Sequence, residues 1–159
     1  MSWIALMALI CSGPPIDDDP NPLRMSKALA CKSVQGFESY VELTDAALTA
    51  DDKLLVYYEP SGFATKPDRD EHIARFSQRG KIRRKGTTAV VWSKPDLLDY
   101  TARGPSPPDR VYLMNTIALK GLKPGDYELE IQLKDELGSN SATQTLAFKI
   151  VTAKLPPPG

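Results

Sequence analysis

The sequence lacks a net charge, a set of metal-binding side chains and a long apolar run. Its twenty basic and twenty acidic residues cancel, so the strong positive field that draws proteins to nucleic acid is missing. Two cysteines and one histidine are too few for a zinc site. No apolar run approaches the about 20 residues that a membrane-spanning helix needs. We therefore predict no nucleic-acid partner, no transmembrane helix and no cofactor.

The chain also has little of what enzymes use for acid–base or nucleophilic catalysis. Its one histidine, His72, lies outside any recognisable catalytic constellation. The paired carboxylates at Asp51-Asp52 and in 68–71 are typical of solvated loops, and no phosphate-binding glycine loop is present. The sequence therefore predicts a protein without catalytic residues, with His72 at the surface or at a sheet edge.

The N-terminus carries a short apolar run, Trp3–Ile10, followed by Cys11 and Gly13. An apolar core of about 7–15 residues followed by small residues is typical of a signal peptide, although no basic residue precedes Trp3. We expect segment 1–12 to direct export to the periplasm, the cell envelope or the medium. A cysteine after an apolar run also resembles the bacterial lipoprotein signal, so a lipid anchor at Cys11 is one alternative. A buried N-terminal strand or helix is the other.

Proline marks the limits of the predicted domain. Most of the fourteen prolines lie in Pro14–Pro22, Pro95–Pro108 and Pro156–Pro158, and proline is disfavoured inside helices and central strands. The predicted division is a signal segment at 1–12, a linker or short helix at 13–30, a folded domain at 31–151 and a proline-rich tail at 152–159. Cys31 follows two apolar residues and is predicted to be a small buried hydrophobe.

The clearest periodicity is an alternation of apolar and polar residues near the C-terminus. Apolar side chains occupy every second position from Tyr127 to Leu133. A helix would place Ile131 opposite the apolar residues on either side of it, whereas a strand buries them on one face. Segment 146–150 alternates in the same way after a turn at 138–140. The predicted core comprises Leu129, Ile131, Leu133, Leu146, Phe148 and Ile150.

Further strands are predicted upstream, at 37–43, 54–59, 87–92 and 111–119. Segment 54–59 is apolar on both faces, as in a strand at the centre of a sandwich, and Pro95 is expected to end the strand at 87–92. Together with a hairpin in 72–85, this makes about seven strands with turn signals at intervals of about 8–12 residues. The pattern predicts an all-β antiparallel sandwich.

One turn carries a resemblance to known folds. In Leu122-Lys123-Pro124-Gly125-Asp126-Tyr127, Pro124 and Gly125 supply the backbone angles of a tight turn, so that Tyr127 can bond back to the backbone. This turn resembles the tyrosine corner of Greek-key sandwiches and is similar to the Leu-x-Pro-Gly turn of fibronectin III domains. With the strands that follow, it resembles the closing hairpin of bacterial immunoglobulin-like modules.

A broader resemblance covers 31–151. On 54–59, Phe63, 112–114 and 124–127, this stretch resembles a domain of uncharacterised exported proteins of planctomycete bacteria. The resemblance implies an immunoglobulin-like or fibronectin III-like antiparallel β-sandwich of about seven strands. It brings no catalytic residues, because its motifs encode fold rather than chemistry.

Two surface features are candidates for binding. Arg79-Gly80 is predicted to be a turn, so the basic residues around it would lie on a solvated hairpin edge; charge there either binds an acidic partner or protects the edge against aggregation. The second feature is a predicted loop, Ser93–Asp109, since long loops on a rigid sandwich are common sites of recognition. The candidate binding residues are Arg79, Lys81, Arg83, Arg84, Lys85, Tyr100 and Arg103.

Aromatic residues leave a second kind of ligand open. Trp92, Tyr100 and Tyr112 could form a platform for a sugar, although Trp92 within a β-branched run is typical of a core. The preferred hypothesis is a non-catalytic, exported binding or spacer module of the bacterial cell envelope with a protein partner. The alternative is a carbohydrate-binding accessory domain, which predicts at least two aromatic side chains on one exposed face.

Overall fold

The structure is a computed structural model that describes residues 22–153. It contains no helix among these residues, so the described chain is all-β, as the periodicity predicted. The strands are β1 (Arg24–Met25), β2 (Leu29–Gly36), β3 (Ser39–Glu42), β4 (Ala47–Leu48), β5 (Lys53–Tyr58), β6 (Pro60–Ser61), β7 (Lys66–Asp68), β8 (Glu71–Arg84), β9 (Val90–Gly104), β10 (Leu113–Ala118), β11 (Gly125–Asp135) and β12 (Ser141–Ile150).

The strands form two main sheets and a short ribbon of β1 with β6. One sheet has four strands in the order β10-β5-β2-β3. The other has six: β4, β12, β11 and β8 follow one another, and both β7 and β9 pair with β8. Only β4 and β12 are parallel; the other described pairs are antiparallel. The six-stranded sheet curls into a half-barrel.

A single hydrophobic core lies between the two sheets. The four-stranded sheet contributes Val56, Leu113 and Ile117, each at most 2% exposed, and these pack in one cluster with residues of the six-stranded sheet. The predicted core residues are all in this cluster: Leu129, Ile131, Leu133, Leu146, Phe148 and Ile150. Their burial confirms the two C-terminal strands and the face that each presents to the core.

The bond predicted for Tyr127 is present, although the tight turn lies at 119–122 and the chain only bends at Pro124. Gly125 has a φ of +153°, which side chains of L-residues rarely allow. The hydroxyl of Tyr127 donates a hydrogen bond to the carbonyl oxygen of Lys123 at 2.5 Å. The Tyr127 ring is 1% exposed and stacks on Phe148, with the centroids 5.7 Å apart. The hydrogen bond therefore ties the turn to the core.

The predicted turn at Arg79-Gly80 is wrong. β8 runs unbroken through both residues and pairs with β11 on one side and β9 on the other. Gly80 has a packing role instead: a Cβ there would lie 2.8 Å from Cδ2 of Leu97 and 3.4 Å from Cζ3 of Trp92. A glycine in the middle of a strand can mark the close approach of another group to the backbone as well as a bend. Trp92 is half-buried and packs on the core.

The predicted loop Ser93–Asp109 is also wrong over most of its length, because β9 extends through Pro95 to Gly104. Proline is tolerated there because β9 is an edge strand, where a missing N–H costs no ladder bond. β9 also bulges at this point: Leu98 pairs with Gln78, but the next described pair joins Lys94 to Gly80. Three residues of β9 thus lie opposite Arg79 alone, and the irregular segment is confined to 105–112.

The first described residues are extended rather than helical. β1 and the start of β2 occupy part of the predicted linker or short helix at 13–30, and Leu23, Met25 and Ala28 belong to the core. Cys31 is 5% exposed, as expected of a small hydrophobe, and burial, with a contribution from Glu42, raises the pKa of its thiol. The predicted signal segment at 1–12, with Cys11, and most of the tail at 152–159 lie outside the described residues.

Candidate binding surfaces

Three tyrosine rings lie side by side on the outer face of the four-stranded sheet. Tyr57 of β5 stands between Tyr40 of β3 and Tyr112, with ring centroids 4.5 Å and 5.5 Å apart. Met114 pairs directly with Tyr57 in the register of β10 and β5, so it extends the same face. Tyr40 is 37% exposed and Met114 is 42% exposed. These four residues are called the aromatic row below.

Tyr57 is the anchored centre of the aromatic row. Its side chain is 2% exposed, and its hydroxyl donates to the carboxylate of Glu59 at 2.6 Å and accepts the backbone N–H of Glu38 at 2.8 Å. Burial, and next the hydrogen bond to Glu59, raise the pKa of Tyr57 to about 12. The phenol is therefore neutral at physiological pH, and its role in the row is to position the rings on either side.

A groove continues from Tyr112 towards β9. It has a volume of about 280 Å³ and lies between Tyr100 and Ala102 of β9 and the segment 103–112, which contributes three prolines. Tyr100 is 42% exposed. Arg110 also lines the groove and holds its guanidinium 4.9 Å from the ring centroid of Phe37. This feature is called the Tyr100 groove.

The structure separates the predicted basic cluster. Arg79, Lys81 and Arg83 alternate with the buried residues of β8 and face outward. Arg84 points the other way and lies 5.5 Å from the ring centroid of Tyr127, while the backbone N–H of Lys85 donates to the carbonyl of Asp126. Because β8 is a central strand, its basic residues do not protect a sheet edge, and that interpretation of the cluster is wrong.

Acidic neighbours neutralise most of the outward cations. Glu130 on β11 contacts both Lys81, at 3.2 Å, and Arg83, at 2.9 Å. Partial burial opposes ionisation of Glu130, but the hydrogen bonds from these two cations prevail and lower its pKa. Arg103 pairs with Asp68 at 2.8 Å and contacts Glu71 at 3.7 Å.

The candidate residues therefore do not form one site. Tyr100 lies in the groove, whereas Arg79, Lys81 and Arg83 lie on the outer face of the six-stranded sheet. Sequence analysis missed Tyr40, Tyr57 and Met114. The sequence does carry a signal for two of them. Tyr57 and Met114 are apolar and lie on the outward faces of β5 and β10, whose other faces are buried in the core. Their juxtaposition depends on the register of β10 and β3 against the central strands, which periodicity does not give.

No group of His, Cys, Asp and Glu within residues 22–153 is arranged to hold a metal ion. The same part of the chain contains no helix long and apolar enough to cross a bilayer. In comparisons with known proteins, no family model matches the sequence and no curated protein matches it.

Proposed function

We propose that this protein is a non-catalytic, exported binding module that holds another protein on its aromatic row. The observation that carries the proposal is the exposed Tyr40 and Met114 beside the anchored Tyr57 on one sheet face. Tyrosine, methionine and arginine are enriched in the centres of protein interfaces. A row held by strand pairing and by the hydrogen bonds of Tyr57 is preorganised, which lowers the entropic cost of binding.

The packing of the rings favours a protein over a sugar on this face. Sugars stack their C–H groups on flat aromatic faces, but the central ring of the row, Tyr57, is packed against Tyr40 and Tyr112 and is 2% exposed. The row presents the phenol of Tyr40 and the flexible thioether of Met114. Such a mixed surface fits the side chains of a folded protein, because methionine adapts to irregular contacts.

The test uses the protein as bait in extracts of its native cells. The double variant Tyr40→Ser/Met114→Lys alters the aromatic row, and Thr143→Lys adds the same charge to an exposed position on the other sheet. We expect wild type and Thr143→Lys to capture the same proteins with equal yield and the double variant to lose them, with all three showing the same circular dichroism. Equal capture by the double variant would contradict the proposal and favour a passive spacer.

A carbohydrate ligand is the second candidate, and the Tyr100 groove is the observation that favours it. The groove brings Tyr100 and Tyr112 together with Arg110 in a concave surface, and aromatic rings beside polar donors in a cleft are typical of small-ligand sites. Affinity electrophoresis through cell-wall polysaccharides tests it. Retardation of wild type but not of Tyr100→Ala would support a sugar site, whereas equal mobility in every polysaccharide would remove it.

Export and family are further parts of the proposal. Export is supported by the apolar run Trp3–Ile10 followed by Cys11. An immunoglobulin-like or fibronectin III-like sandwich, related to exported planctomycete proteins, is supported by the tyrosine corner at Tyr127 and by two sheets around one core. The intact mass of protein from its native cells tests export: loss of the residues up to about Gly13, or a lipid on Cys11, is expected. Retention of Met1 in the cytosol would contradict it.

A further inference from the structure

Arg79 lies at an opening in the outer face of the six-stranded sheet. On one side, Arg79 pairs with Gln132 of β11. On the other side, three residues of the β9 bulge lie opposite Arg79. Two hollows of about 230 Å³ and about 140 Å³ meet there, and both are lined by Arg79, Gln132 and Pro95. The bulge therefore leaves space beside this one arginine.

Within the described residues, Arg79 has no counter-ion, in contrast to the other outward cations of β8 and β11. Arg75 pairs with Asp99 at 3.2 Å and Lys134 with Glu136 at 3.5 Å, and Glu130 holds Lys81 and Arg83. The side chain of Arg79 forms no hydrogen bond or ion pair with any residue in 22–153. A guanidinium flanked by space and left without an acid is a positive group available to a ligand.

The smaller hollow has the lining of an anion site. Pro95 forms an apolar wall, and the residues that line the hollow include no carboxylate. The outward side chains among them all carry hydrogen-bond donors: Ser77, Arg79, Gln132, Lys134 and Ser141. The Ser77 hydroxyl donates to Glu136, which also holds Lys134. The guanidinium of Arg79, the amide of Gln132 and the hydroxyl of Ser141 have no such acidic partner.

We propose that this hollow binds an oxyanion, a carboxylate, sulfate or phosphate group of a ligand, with Arg79 as the principal donor. Arginine binds such groups through two parallel N–H bonds, which gives them both strength and orientation. Gln132 and Ser141 complete the ring of donors. This site is separate from the aromatic row, which lies on the other sheet, and it does not depend on the function proposed for that row.

The test is titration of the purified protein with sodium phosphate, sulfate and acetate at low ionic strength, followed by amide and arginine N–H resonances. We expect saturable shifts centred on Arg79, Ser141 and Gln132, weakened by added chloride because the contact is exposed. A preference for phosphate and sulfate over acetate would identify a tetrahedral group as the ligand, and the reverse preference a carboxylate.

Two variants with matched chemistry decide whether Arg79 is responsible. Arg79→Gln should weaken anion binding by about tenfold or more, as loss of a bidentate partner does. Arg75→Gln removes a cation four residues away that is already paired, and it should leave binding unchanged. If Arg79→Gln is unstable, Ser141→Ala should weaken binding as well. Shifts that fail to saturate, or equal binding by the variants and wild type, would overturn the proposal.

Discussion

Asp135 is a buried carboxylate at the end of β11, 1% exposed. One oxygen accepts the backbone N–H of Ala64 at 2.7 Å, and the other accepts those of Leu137 and Gly138 at 3.0 Å and 3.1 Å. Asp135 therefore stabilises the turn into β12 and also binds a segment that lies 71 residues earlier in the sequence. The alternation that predicted β11 gave no sign of this role, since it depends on where a distant segment passes.

Asp135→Asn should destabilise the fold by about 2 kcal/mol or more, because an amide has one acceptor oxygen and would leave buried N–H groups unpaired. Asp126→Asn is the control: it makes the same change at an exposed position on the same strand and should alter stability little. Urea unfolding of both variants measures the difference. A similar midpoint for Asp135→Asn and wild type would contradict the role assigned to Asp135.

Tyr57 gives the stability of the fold an alkaline limit. Its pKa is about 12 in the folded state against 10.0 for an ordinary tyrosine, so the folded state holds the phenol proton more tightly. The stability linked to this proton is complete below about pH 10 and is lost as the pH rises towards about 12. Tyr57→Phe should therefore show a smaller loss of unfolding free energy over that range. An unchanged dependence on pH would exclude Tyr57 as its source.

At the scale of elements, the paired strands β8 and β9 decide where the surfaces lie. The sequence predicted the C-terminal strands because one face is buried and the other solvated without exception. β8 was predicted as a hairpin in 72–85 and β9 as a strand that ends at Pro95, because Gly80 and Pro95 are signals of turns and ends. In the structure, packing of Trp92 and Leu97 over Gly80 and the edge position of β9 outweigh those signals.

Gly80→Ala tests this packing. The added methyl group would meet Cδ2 of Leu97 at 2.8 Å. Because that atom ends a flexible, half-buried side chain, we expect a cost of about 1 kcal/mol, the low end for overpacking. Gly36→Ala, at a strand position with open space around it, should cost less. In the double variant Gly80→Ala/Leu97→Ala the clash is removed, so the loss should be smaller than the sum of the single losses. Additive losses in thermal unfolding would show that the clash is not the cause.

At the scale of the molecule, a buried polar contact joins the two sheets through the core. The hydroxyl of Tyr58 on β5 donates to Oε1 of Gln78 on β8 at 2.7 Å, and the amide of Asn115 on β10 donates to the same oxygen at 3.2 Å. These side chains fix how the sheets face each other, and so which surfaces point outward. Composition and periodicity predicted the all-β class and much of the core. The binding surfaces needed the register between strands, which the sequence does not display.

A protein partner bound on the aromatic row should be close enough to crosslink to it. Site-specific photocrosslinking in the native cells tests this contact most directly, with the crosslinking amino acid placed at position 114 in the row or at position 143 on the other sheet. We expect position 114 to give a discrete protein adduct that position 143 does not give, and we expect this adduct to be lost when Tyr40 is changed to Ser. The same adducts from both positions, or none from position 114, would contradict the proposed contact.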